Sequence, residues 1–120
     1  MKILVSAAGN DLSADVDPRF GRAARFLVVD ADSLEYEVVE NEQNLNLPQG
    51  AGIQAGKIAA DTGAGVVITG NCGPKAFAVL QKAGVAVVIG AKGKVKDVIE
   101  AYKNGQLKPA DDANVEGHWV

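Results

Sequence analysis

The only cysteine of the chain stands in Gly70-Asn71-Cys72-Gly73-Pro74, where a buried apolar run gives way to a helical pattern. A thiol at a helix mouth meets unpaired amide N–H groups, which stabilise the thiolate and lower its pKa below the free value of about 8.5. Such a thiolate ligates a soft metal or a metal–sulfur cluster. A single sulfur does not hold a conventional iron–sulfur cluster, which takes four protein ligands. The competing reading is that Cys72 packs as a small hydrophobe, and both stay open at this level. His118, in a His-Trp pair near the end, is the second candidate metal ligand if the tail folds back over a pocket; a dangling end is the alternative.

Other glycine turns accompany this one. Ala8-Gly9-Asn10, Gln49-Gly50-Ala51-Gly52 and Gly90-Ala91-Lys92-Gly93 each stand beside an apolar run or a helical pattern. Glycine lets backbone approach a ligand closely, and amides at helix starts attract negative charge. Each such interaction contributes only about 0.3–1 kcal/mol at an exposed site, so several must act together. Turns that merely join strands to helices are the plainer explanation of the same residues. Arg19, Arg22 and Lys75 are candidate neutralising charges, against solvated surface or an Arg22 pair with Asp15 or Asp17.

Other chemistry fails on spacing. GAGIQAG has its third glycine one place late for a dinucleotide fingerprint and does not follow the first strand. Asp11, Ser13 and Asp15 have calcium-loop spacing, but Val16 replaces the glycine and Arg22 stands where a closing glutamate belongs. With one histidine, near the end, a nucleophile–histidine device is not assembled.

The elements that must position these turns follow from periodicity. Residues 2–7 read as a buried strand, 8–22 as a long polar loop, and 24–31 and 34–41 as a hairpin of strands. Helices are expected over 53–62, 74–83 and 94–104, with buried strands at 65–70 and 85–90. Gly56 weakens the first helix, Pro74 suits the first position of the second, and Gly105 closes the third. Right-handed crossovers then give an α/β fold: a five-stranded mixed sheet of order 3-2-1-4-5, strand 2 antiparallel, with three helices. The strand order reverses between the first and fourth strands, and a crevice at their carboxyl ends is the expected ligand position. Residues 1–107 form one domain and 108–120 a flexible or draped tail.

At 120 residues the chain needs no disulfide to fold, and its lone cysteine fits a cytoplasmic setting. The opening residues build neither a signal peptide nor a membrane span. A net charge of −3 argues against broad nucleic-acid binding.

VDPRFGRAARFLVVD (16–30), PQGAGIQAG (48–56), ITGNCGPKAFAVLQKAGVAVV (68–88) and GAKGKVKDVIEAYKNGQL (90–107) together resemble the dinitrogenase iron–molybdenum cofactor biosynthesis family. The resemblance implies a ribonuclease-H-like fold and a non-catalytic role. It implies binding or carriage of an anionic metal–sulfur cluster: iron–molybdenum cofactor, its iron–sulfur precursor, or a molybdenum–copper sulfide. Cluster-synthesis or acceptor proteins would be the partners, with neither nucleic acid nor membrane involved. Several of the family's carriers have a histidine just before the glycine pair at 50–52, and here that place is Gln49, a poor ligand for soft metals. Cys72 from the neighbouring loop would then substitute, or charge and hydrogen bonds alone would hold the cluster. The expected cradle is Gly9, Asn10, Gln49, Gly50, Gly52, Gly70, Asn71 and Gly73, with Arg19, Arg22 and Lys75 supplying charge. A regulatory or protein-interaction module without metal is the alternative, and an enzyme acting on a phosphate-bearing small molecule a third.

Overall fold

The computed structural model describes residues 1–41, 50–111 and 113. Strands β1 (Lys2–Ala7), β2 (Arg25–Asp30) and β3 (Tyr36–Glu40) are followed by helix α1 (Ala51–Asp61), strand β4 (Val66–Ile68), helix α2 (Pro74–Lys82), strand β5 (Ala86–Val88) and helix α3 (Val95–Lys103). The sheet order is β3-β2-β1-β4-β5, with β1 antiparallel to β2, β2 antiparallel to β3, and β1, β4 and β5 parallel. Order and directions are those expected from the sequence. The crossover rule decides them once the hairpin and the two β-α units are recognised.

Alternation along the strands sends side chains to two cores. Leu4, Phe26, Val28 and Val67 face α1 and α2, while Ile3, Val5, Leu27, Val29 and Ile68 face α3. α1 begins two residues earlier than its periodicity suggests and runs through Gly56, a residue that usually weakens helices. The reason is packing. A Cβ on Gly56 would lie 2.9 Å from Val79 Cγ1, so glycine lets α1 and α2 lie close together.

α1 leads into the amino end of β4, and α2 leaves its carboxyl end. Both helices therefore run antiparallel to β4 and parallel to each other, and both open at the sheet's carboxyl edge. At the far edge of the sheet the chain past α3 returns to β5: the Ala110 amide donates to the Val87 carbonyl at 2.7 Å. No helix is long and apolar enough to cross a membrane.

Candidate functional site

The carboxyl ends of β1, β4 and β5 are covered by the chain itself. After β1 the backbone makes a hairpin-like excursion in which the Ala8 amide donates to Asp15 O. It then crosses the strand ends. The Val16 amide donates to Gly93 O at 2.8 Å, and the Asp17 amide to Ser6 O at 2.8 Å. Ser6 Oγ donates to Asp17 O at 2.7 Å and lies 2.8 Å from Thr69 Oγ1, a buried polar stitch between β1, β4 and the loop.

Further along, Asn71 Nδ2 donates to Pro18 O at 2.9 Å, and the Phe20 amide to Asn71 O at 3.1 Å. Phe20 drops into the α1/α2 core fully buried, its ring stacked on Phe26 at 5.2 Å. Asp-Pro-Arg-Phe is thus a clasp: Pro18 rests on Gly70, Phe20 anchors, and Arg19 is left outside. A Cβ on Gly70 would sit 2.8 Å from the Pro18 backbone, so only glycine admits this approach.

Two of the glycine turns meet each other. The Gly90 amide donates to Gly70 O and the Ala91 amide to Thr69 O. Between β1 and β4, where the strand order suggests a crevice, the clasp occupies the space. The signal in the sequence was an aromatic residue alone in a polar loop, and Ser6, Pro18, Phe20 and Thr69 were missed as the parts of the clasp.

Cys72 has no exposed surface and belongs to the α1/α2 core, with Sγ 3.7 Å from Gly73 O. Burial pushes its thiol up to about 12, from 9.0. This corrects the expectation of a lowered pKa, because loss of water outweighs the modest attraction of a helix mouth. In this conformation the sulfur is packed rather than presented.

The remaining candidates divide by side. Gly9 and Asn10 lie in the excursion that leans over α3, where Leu12 packs. Arg19 is about half exposed beside Asp17, its Nε 4.0 Å from the carboxylate, and Arg22 is half-buried. Gly50, Gly52, Asn71, Gly73 and Lys75 stand at the starts of α1 and α2. Gln49 and His118 lie outside the described residues.

These helix starts are chemically distinctive. Neither α1 (N-cap Gly50) nor α2 (N-cap Gly73) receives a side-chain cap, and neither has an acidic residue in its first turn. Among the described residues, the first-turn amides of Gly52, Ile53, Lys75 and Ala76 have no acceptor. Four orphan donors at each helix start are the rule, and capping or an anion normally satisfies some of them. Two parallel dipoles side by side reinforce the positive field at that end. Exposed Lys75 adds a cation in the first turn of α2. Among the described residues no three His, Cys, Asp or Glu side chains gather to hold a metal ion. The arrangement suits a ready-made anion held by amides and charge.

A five-stranded mixed sheet in this order, flanked by three helices, defines a ribonuclease-H-like α/β domain. The chain belongs to the dinitrogenase iron-molybdenum cofactor family, whose profile matches residues 1–105. Among solved structures, it is similar to the apo form of the orange protein from Desulfovibrio gigas, with a TM-score of 0.92, 43% identity, and 95% of this chain and 96% of that one covered. A Thermotoga protein provisionally called NifB superposes with a TM-score of 0.81 at 33% identity, covering 97% and 98% of the two chains. An uncharacterised protein of Methanocaldococcus jannaschii is 30% identical over 111 residues, 90% of each chain.

Proposed function

We propose that this protein binds and carries an anionic metal–sulfur cluster as cargo, without turnover, at the adjoining mouths of α1 and α2. The observation that carries this reading is the pair of parallel helix starts, without side-chain caps and, among the described residues, with acceptor-less first-turn amides, at one edge of the sheet. Gly50, Gly52 and Gly73 open the backbone to the cargo, and Lys75, Arg19 and Arg22 offset its charge. Asn71 links the α2 mouth to the clasp. Gly9 and Asn10 belong to the other side of the edge and drop out. Cys72 supports the packing beneath the site instead of ligating metal. Family membership and likeness to the orange protein support a cargo of the iron–molybdenum or molybdenum–copper sulfide kind. Cluster-synthesis and acceptor proteins of the cytoplasm would load and unload it.

The test is anaerobic incubation with tetrathiomolybdate, with and without cuprous ion, followed by gel filtration, metal and sulfide analysis and a visible spectrum. Comigrating metal, sulfide and colour are expected. Protein that stays colourless and metal-free across these conditions would favour a metal-independent interaction module.

A further inference from the structure

The two edges of the sheet are finished differently. β5 has its outer edge met by the chain's own return at Ala110. Among the described residues β3 pairs with β2 alone, and along its length only Val39 is even partly buried. The described residues include four exposed large apolar side chains, and all four lie at this corner: Met1, Leu34, Tyr36 and Val38.

The register says which groups of β3 face outward. The Asp30 amide donates to Glu35 O, and the Asn41 amide to Ala24 O, at the two ends of the antiparallel β2–β3 pairing. In such a ladder, inward and outward backbone groups alternate. Residues 35, 37, 39 and 41 therefore point at β2, and the N–H and C=O of Tyr36, Val38 and Glu40 point away from the sheet. Tyr36 and Val38 thus combine exposed apolar side chains with available backbone hydrogen-bonding groups. Charged side chains or proline usually blunt such an edge; here Glu37 and Glu40 charge the strand, while Tyr36 and Val38 set exposed apolar side chains beside outward groups.

The charges at this corner are mostly of one sign. Asp30, Asp32, Glu35, Glu37 and Glu40 surround the strand. The nearby cations are Lys2, paired in register with Asp30, Arg25, 4.0 Å from Glu40, and the N-terminus, 4.0 Å from Asp32. Among the described residues no ion pair engages Glu35 or Glu37. Strand alternation places Glu35 and Glu37 toward the α1/α2 face, and Tyr36 and Val38 toward the α3 face. The preceding turn is locked by Asp30, whose carboxylate accepts from the Asp32 and Ser33 amides, and it holds Leu34 outward at φ 65.

We infer that the outer edge of β3 is a docking site for an extended segment of a partner protein in which lysine or arginine alternates with apolar residues, added to the sheet as a sixth strand. Alternation puts all the partner's apolar side chains beside Tyr36 and Val38 and all its cations beside Glu35 and Glu37. A second copy of this chain is a poor occupant, because its β3 (YEVVE) carries no cation to set beside Glu35 and Glu37 and would bring further acids to a corner that is already acidic. The surface is the outer edge of β3, whereas the mouths of α1 and α2 open at the carboxyl ends of the parallel strands.

The experiment is an NMR titration of ¹⁵N-labelled full-length protein with a capped octapeptide alternating valine and lysine, and with its valine–glutamate counterpart. The lysine peptide is expected to shift and protect the amides of Tyr36, Val38 and Glu40, with the glutamate peptide about tenfold weaker or more. The double variant Glu35→Lys/Glu37→Lys is expected to invert that preference. Val38→Pro, which removes an outward donor without touching the β2 ladder, is expected to abolish protection while leaving the remaining spectrum folded. Equal response to both peptides, perturbation centred elsewhere, or self-association through β3 without peptide would overturn the proposal.

Discussion

The carboxyl edge of the sheet has two halves, and helix starts are treated oppositely in them. On the α3 side, the loop after β1 caps the helix with its own backbone: the Val95 amide donates to Ala14 O and the Lys96 amide to Leu12 O, with Asp97 in the first turn. On the other side, α1 and α2 start on glycines with no side-chain cap and no acid. Among the described residues, the chain supplies acceptors to one helix start and leaves first-turn amides of two neighbouring ones without them. Their orphan amides are a standing cost unless water or an anion accepts from them, and this difference is the basis for the proposed ligand position.

The clasp keeps the two halves distinct, and removing it is the strongest way to break the comparison. Phe20→Ala is expected to lose about 3–5 kcal/mol in urea denaturation, because a fully buried stacked ring leaves a cavity. Gly70→Ala, which drives a methyl into Pro18, is expected to lose about 1–3 kcal/mol by the same measurement and to loosen the segment over the strand ends.

Cys72 sharpens the contrast between support and site. Cys72→Ser is expected to lower stability by about 1–3 kcal/mol, by burying a hydroxyl with poor partners, while cargo affinity stays unchanged. A large loss of affinity at intact fold would restore the sulfur as a ligand. The folded thiol titrates near 12 and an unexposed-to-exposed transfer returns it to 9.0. The stability it contributes is therefore intact below pH 9.0 and is lost as pH rises toward 12. Wild-type and Cys72→Ala denaturation midpoints, compared across that range, are expected to converge.

Arg19 should act on binding alone. It is exposed, so Arg19→Gln is expected to change stability by less than about 0.5 kcal/mol and to weaken cargo uptake a few-fold, more at low salt than at high.

Much of this architecture was readable beforehand. β1 was placed at its observed residues, and the sheet order followed from one hairpin, two β-α units and the handedness of crossovers. The bare helix starts were half visible, in the glycines that open them. The filled crevice was not, because it depends on the Gly70–Pro18 approach and the Ser6–Thr69–Asp17 stitch, contacts between distant residues that leave no periodic trace. Cys72 stayed open between a presented and a packed sulfur for a related reason. Its neighbours in sequence are turn residues, but its neighbours in space are apolar, and local spacing reports only the first.

Lys75 and Lys96 occupy the same second position of α2 and α3, one above bare amides and the other above amides already accepted by the loop. Glutamate at either position suits a helix N-terminus, so neither Lys75→Glu nor Lys96→Glu is expected to lower the melting temperature. The direct measurement is anaerobic thiomolybdate–copper uptake by the two variants beside wild type, read by visible absorbance and bound metal. Lys75→Glu is expected to weaken uptake about tenfold while Lys96→Glu stays near wild type. Equal behaviour of the two variants, or a larger loss from Lys96→Glu, would contradict an anion site at the mouths of α1 and α2.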